Sequence, residues 1–435
     1  GSGEPVAQAD KNVQAVASFS LAYNENDGLD PLACTSEENK LLSQLCFERL
    51  FLLNENFEPQ MELCASVQRN SAKSYTLTIR DGVKFHSGEQ LKPSDVVYSL
   101  NNAGKDVTMT LDANVCATAY RALKGRKGTV GVYNYETGEI ICMVSSPTYD
   151  PQSPPTISAN DKSGVYINRF TSSTFPPGSI FKLVTAAAAI ETQDDAYTYK
   201  VTCHGTEDYG HGDKVTDMSV HGTVDLKKAL EVSCNIYFGK LAEKIGAGTM
   251  EKYTEKAGLT ESLDINGIKT AKGTFEFPDR GVSLAWSGIG QNKDMINPCT
   301  MMVYMGAIAN NGTATLPTLI RPTSFVDKQM AKIPKFGKKT KGMIDSSTAS
   351  SLKEMMANNV ENHYGGNSSF PGLNLCAKSG TAEVGGSKKP NAWFAGFLDD
   401  PENPYAFIVL VENGGFGAKV SGSVANEVLQ DIVNK

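Results

Sequence analysis

The sequence predicts an α+β fold, an antiparallel sheet flanked by helices. Three observations carry this. Two strand-like runs, 128–134 and 139–145, come early, with the turn Glu136-Thr137-Gly138 between them. A helical block fills the middle. Three further strand-like runs, 375–383, 392–397 and 406–412, come late. Strands this far apart in the chain can share one sheet only if the intervening helices cover its faces.

The elements follow in order. Residues 1–14 are polar and small and read as a loose tail. Gly1-Ser2-Gly3-Glu4 reads as a cloning scar, ahead of which a targeting segment could have been removed. Residues 75–80 alternate as a half-buried strand does. Asp81-Gly82 should turn the chain into a second short strand, 83–86. A helix should start at Pro93-Ser94-Asp95 with Ser94 as its N-cap. Gly and Asn in 101–105 mark a connection, so the chain divides into segments 1–104 and 105–435. In the second segment, 113–123 has helical spacing and 147–164 reads as loop. Helices are expected at 180–191, 224–245, 300–310 and 346–360. Residues 399–404 turn, and a last helix covers 421–434.

Composition narrows the function. The chain has 435 residues, 40% apolar and 20% charged, as folded proteins do. Net charge is −7 and no dense Lys/Arg run occurs, so no nucleic-acid partner is expected. No apolar run reaches the roughly 18 residues a membrane span needs. The nine cysteines are scattered, without a C-x-x-C pair, and read as small core residues. None of the five histidines lies at metal spacing from another ligand. No metal and no cofactor are expected.

The chemistry concentrates at F-P-P-G-S-I-F-K, residues 175–182, followed by L-V-T-A-A-A-A-I. A serine hydroxyl needs a base within reach to act as a nucleophile. In a helix starting at Ser179, Lys182 lies one turn on, on the same face. The apolar run buries this helix all round. Burial and the helix dipole both depress the pKa of a lysine placed there, toward the range of a general base. Four residues alone also fit an N-cap serine beside a snorkelling lysine. Two further motifs decide between these readings. Ser233-Cys234-Asn235 lies in the helical block, and Lys378-Ser379-Gly380-Thr381 lies on a predicted late strand.

Ser-x-x-Lys, Ser-x-Asn and Lys-Ser/Thr-Gly, in that order, resemble the set shared by penicillin-binding proteins and serine β-lactamases. Residues 106–112, 128–151, 221–235, 287–291 and 305–312 resemble neighbouring blocks of the same family. The likeness spans about 330 residues, 105–435, and is closest to the transpeptidase domain of class B penicillin-binding proteins. It implies the penicillin-binding-protein/β-lactamase-like transpeptidase fold. The implied activity is D,D-transpeptidation of D-Ala–D-Ala stem peptides of peptidoglycan through a serine acyl-enzyme, blocked by β-lactams. The implied place is the extracytoplasmic face of a bacterial membrane, with an anchor outside this chain and other cell-wall synthesis proteins as partners.

The resemblance also implies roles. Ser179 attacks the carbonyl and Lys182 takes its proton. Ser233 relays a proton to the leaving amine. Asn235 holds Lys182 and the substrate backbone. Lys378 adds a second charge that depresses the Lys182 pKa and attracts the substrate carboxylate. Ser379 and Thr381 offer hydroxyls to that carboxylate, and Gly380 lets the peptide backbone approach as an added strand. The N–H groups of Ser179 and Thr381 form an oxyanion hole. Ser379 stands where many relatives carry threonine. Trp393 and Phe394 read as core, Tyr364 as a plain loop aromatic with a place in the cleft as the alternative, and Cys234 as buried and inert. Arg280 and Trp286 receive no role. No E-x-x-L-N follows Asn235, which disfavours a β-lactamase. A D,D-carboxypeptidase and a β-lactam or peptidoglycan sensor remain as alternatives.

Residues 46–60, 75–89 and 91–100 resemble part of the peptide-binding family of extracellular solute-binding proteins. That implies a small partial α/β segment at the N-terminus, without the second lobe that such receptors close over a ligand.

Overall fold

The computed structural model describes residues 24, 36–53, 59–71, 74–85, 88–97, 109–150, 152–158, 160–321 and 340–434. The chain divides into two units, Gly1–Asp106 and Val107–Lys435. The expected tail 1–14, the connection 101–105 and the first residues of the 106–112 block lie outside the described residues.

In the first unit, helix Glu37–Cys46 starts at Ser36, whose hydroxyl accepts the Asn39 N–H at 3.3 Å. Strand Ser74–Ile79 lies where alternation placed it. Its partner is Cys64–Ser71, which precedes it. The expected strand after Asp81-Gly82 reduces to a single bridge between Lys84 and Gln90. Residues 93–97 are helical, so Ser94 lies inside the helix and not at its cap. Asp95 reaches back instead, and its carboxylate accepts the Lys92 N–H at 2.8 Å.

The second unit is built on five strands: β1 (Gly128–Asn134), β2 (Ile140–Ser146), β3 (Leu375–Ala382), β4 (Asn391–Leu398) and β5 (Tyr405–Val411). They form one antiparallel sheet in the order β3-β4-β5-β1-β2. The β1–β2 turn forms because Asn134 Oδ1 accepts the N–H groups of Glu136 and Thr137, both at 2.9 Å, and Gly138 takes a left-handed φ of 84°.

The helices that matter for the site are α1 (Ala113–Leu123), α2 (Lys182–Thr192), α3 (Leu226–Glu231), α4 (Asn235–Ile245), α5 (Pro298–Ala309), α6 (Ser346–His363) and α7 (Gly417–Val433). Asp112 caps α1 through the N–H groups of Asn114 and Val115. Asn297 caps α5, where Pro298 fits the first turn. The single helix expected over 224–245 is two helices, α3 and α4. The break falls at Ser233, which holds a left-handed φ of 57°.

Side chains alternate across the sheet. Trp393, Ala395, Phe397, Ile408 and Leu410 pack into a core with α2, α4 and α5. Ala392, Phe394, Leu398, Phe407 and Val409 pack into a second core with α1 and α7. Both faces are therefore dry, which is why the late strands read as continuous apolar runs. Ile408 is fully buried at the middle of the sheet. Ile408→Ala should lower stability by about 2–5 kcal/mol, measured as a shift in the urea midpoint of the second unit.

Candidate active site

The nucleophile candidate sits in a clamped turn. Gly178–Ile180 form one 3-10 turn, and α2 begins only at Lys182. The expected helix start at Ser179 is thus a tighter turn followed by the helix. Gly178 has a φ of 54°, and its N–H donates to Gly290 O at 2.7 Å. A β-carbon at Gly178 would fall 2.9 Å from Thr381 O, and one at Gly290 would fall 2.2 Å from Gly178 O. Only glycines allow both approaches. Trp393 Nε1 donates to Pro176 O at 2.9 Å and fixes the turn from the sheet side. Ser179 is half-buried, and its hydroxyl makes no hydrogen bond among the described residues.

Lys182 is fully buried on α2. Its Nζ donates to Ser233 O at 2.6 Å and Asn235 Oδ1 at 2.7 Å, and lies 3.2 Å from Ser233 Oγ. Burial pushes its pKa down to about 8, with the negative charge of Asp217 opposing. Lys378, also fully buried, donates to the same Ser233 Oγ and to Ser379 O, each at 2.9 Å. Burial first, then the charge of Lys182, hold its pKa well below the usual lysine range. One hydroxyl thus joins two amines in a dry pocket, where both cannot keep a full charge at little cost. Ser233 reaches this place because its left-handed backbone turns both its carbonyl and hydroxyl toward α2, a conformation that costs a non-glycine residue about 1–3 kcal/mol. Asn235 is oriented from its other end: Nδ2 donates to Thr216 O at 2.9 Å.

Lys378, Ser379, Gly380 and Thr381 lie on β3, the sheet's edge strand, paired in the sheet only with β4. A β-carbon at Gly380 would lie 3.1 Å from Ile180 Cγ2 and from Pro177 O, so this face of β3 packs on the serine turn. Ser379 and Thr381 are half-buried. Ser379 Oγ donates to Tyr364 OH at 3.1 Å, and the Gly417 N–H lies 3.5 Å from Thr381 Oγ1. The structure therefore assembles Ser179, Lys182, Ser233, Asn235 and the Lys378–Thr381 strand in one place from three distant parts of the chain.

The family model for the penicillin binding protein transpeptidase domain matches residues 128–434. The chain belongs to that family. A relative, peptidoglycan D,D-transpeptidase PbpA of Mycobacterium tuberculosis, is 30% identical over 323 residues, covering 68% of this chain and 64% of its own length. This chain thus spans just under two thirds of that relative. The solved structure of penicillin-binding protein A from M. tuberculosis as a penicillin G acyl-enzyme complex superposes with a TM-score of 0.66. It is 22% identical and covers 86% of this chain and 97% of that one. The complex of penicillin-binding protein PBP2 with MreC from Helicobacter pylori matches at a TM-score of 0.65 and 22% identity, over 75% and 64% of the two chains. Both structures agree with the transpeptidase fold.

Within this transpeptidase domain, several residues play parts that the motifs did not disclose. Asp217 Oδ2 accepts the Asn235 N–H at 2.8 Å and so holds the start of α4. Tyr364 lies in the loop just after α6, as expected of a loop aromatic. It caps α6, lies almost wholly buried, and its hydroxyl accepts the Ser379 N–H at 3.0 Å. His221 Nδ1 lies 3.3 Å from Asp217 Oδ2, a contact that the histidine spacing in the sequence did not disclose. Trp393, Phe394 and Cys234 are buried as expected. The depression of the Lys182 pKa comes from burial, and the like-charge effect falls on Lys378.

Tyr364→Phe leaves the half-buried Ser379 N–H without its acceptor. It should cost about 1–3 kcal/mol, read as a lowered denaturation midpoint against the unmodified protein.

Proposed function

We propose that this chain is a peptidoglycan D,D-transpeptidase working through a Ser179 acyl-enzyme and trapped by β-lactams. The supporting observation is Ser233 Oγ between Lys182 Nζ (3.2 Å) and Lys378 Nζ (2.9 Å), with Ser179 one turn before Lys182. Ser179 Oγ attacks the carbonyl of the penultimate D-Ala and gives its proton to neutral Lys182. The C–N bond breaks, and the terminal D-Ala leaves as the amine after taking a proton through Ser233. An amine of a second stem peptide then attacks the ester, freeing Ser179 with its proton restored. The N–H groups of Ser179 and Thr381 would bind the oxyanion, each worth about 3 kcal/mol. Lys378 and the hydroxyls of Ser379 and Thr381 would receive the substrate carboxylate, once Ser379 Oγ turns from Tyr364. The open edge of β3 and Gly380 suit a peptide added as a strand. Asn235 holds Lys182 through Oδ1.

The substrate class is that of the mycobacterial peptidoglycan D,D-transpeptidase, and the β-lactam reading rests on the penicillin G acyl-enzyme complex of penicillin-binding protein A. We extend both to this chain. Such a substrate lies outside the cytoplasmic membrane, so the domain would work there, together with other cell-wall synthesis proteins. The motifs and the family match fall within 105–435, which we take as the catalytic part. Residues 1–104 would be a separate segment, resembling a piece of a solute-binding protein.

Intact mass after incubation with benzylpenicillin tests the nucleophile. A stable adduct is expected on the full chain and on residues 105–435, and none on Ser179→Ala. A D-Ala–D-Ala donor with and without an amine acceptor then separates the activities. Coupled product means transpeptidation, hydrolysis alone means a carboxypeptidase, and an adduct without peptide turnover means a sensor.

The pH dependence has a definite sign. Below a pKa of about 8, Lys182 carries a proton and cannot accept another. The penicillin acylation rate should therefore fall about tenfold per pH unit toward acid and level off above pH 8–9. A rate flat from pH 6 to 9 would sink the assignment of Lys182 as the base.

A further inference from the structure

The edge of β3 is open along only part of its length. Backbone groups alternate along a strand, so Ala377, Ser379 and Thr381 turn theirs away from β4 and toward that edge. Three of these groups are already taken. Ala377 O accepts Asn359 Nδ2 at 3.1 Å, the Ser379 N–H donates to Tyr364 OH at 3.0 Å, and Ser379 O accepts Lys378 Nζ at 2.9 Å. Thr381, two residues on, offers the next outward pair beside the serine turn, where its carbonyl oxygen lies 2.9 Å from the place of a β-carbon on Gly178. Asn359 is fully buried on α6, and Tyr364 follows the end of that helix. The Tyr364 ring meets Phe394 edge to face, with centroids 5.6 Å apart, and Phe394 is the β4 partner of Ser379. The hydroxyl cannot swing aside without opening that contact. A carbonyl of an added strand would sit about 2.9 Å from the Ser379 nitrogen, and the Tyr364 hydroxyl oxygen stands in that place.

We propose that Tyr364 and Asn359 close the peptide groove on its leaving-group side, restricting the acyl donor to a peptide that ends one residue beyond the bond to be broken. This rests on the proposed acylation chemistry, which puts the scissile carbonyl at the Ser179 and Thr381 N–H groups and the terminal carboxylate at Lys378 and Ser379. The leaving residue then runs from Thr381 back toward Ser379. A chain that continued as an added strand would need the Ser379 N–H and the Ala377 carbonyl as its next partners, and both are occupied. Its own amide groups would be left unpaired against a buried ring, which is costly. A terminal carboxylate needs neither partner, since Lys378 and the Ser379 and Thr381 hydroxyls stand in front of the cap. The site therefore suits free stem-peptide ends and rejects interior peptide bonds, such as those of finished cross-links. Tyr364 and Asn359 act here on donor choice through the backbone of β3, not on the proton transfers.

The test compares two thioester donors on the full chain, read by the thiol released. Both carry an N-acyl-D-Ala acyl group. The short donor loses thioglycolate, with a free carboxylate, and the extended donor loses the glycinamide of thioglycolate. Wild-type protein should turn over the short donor faster. Tyr364→Ala clears the place of the hydroxyl and bares the Ser379 N–H. It should raise the rate on the extended donor and narrow the short-to-extended ratio at least about tenfold, the worth of one hydrogen bond. Tyr364→Phe, which keeps the ring, should narrow the ratio by less. A cooperative unfolding transition identifies the folded variants, and Tyr364→Phe alone decides by the same ratio if Tyr364→Ala does not fold. Rates that fall in equal proportion on both donors are what a purely structural role gives, and they overturn the inference. So does wild-type protein that takes both donors equally, or that forms the benzylpenicillin adduct without turning over the short donor. Wild-type protein that takes neither donor and forms no adduct overturns the transpeptidase reading itself.

Discussion

A buried ammonium group needs acceptors, and Lys182 finds its own in Ser233 O, Asn235 Oδ1 and Ser233 Oγ. Those contacts require α3 and α4 to break at Ser233 instead of running on as one helix. They require Ser233 to hold a left-handed backbone and Asn235 to be fixed by Thr216 and Asp217. The second amine, Lys378, then reaches the same hydroxyl from the edge of the sheet. Much of the local architecture between α2 and β3 serves this one polar cluster inside an apolar core.

The apolar surroundings and the polar cluster depend on each other. The cores on both sheet faces exclude water, and exclusion lowers both lysine pKa values. Without the cores the amines would stay charged and idle. Without Ser233 and Asn235 the cores could not tolerate the amines. The glycines at 178 and 290 let the serine turn lie against β3 with almost no gap. Reactive groups from residues 179, 233 and 378 thereby meet in one small volume.

The same loops that hold Asn235 carry Cys203, Asp217 and His221. The short strands between α2 and α3 bury Val201, Cys203, Val215 and Val224 in the same core that surrounds α2 and α4.

The sequence by itself determined the sheet strands, most of the helices and the three motifs, because each is local. Alternation, helical spacing and short fixed patterns need no partner to be read. Only the tertiary structure decided where 224–245 breaks, because a left-handed serine is selected by the lysine it must serve and not by its neighbours in the chain. Tertiary structure also chose Cys64–Ser71 as the partner of Ser74–Ile79, placed Tyr364 behind Ser379, and gathered Cys203, Asp217, His221 and Cys234. Those outcomes depend on distances between residues far apart or irregularly spaced in sequence, which packing sets and local pattern does not contain.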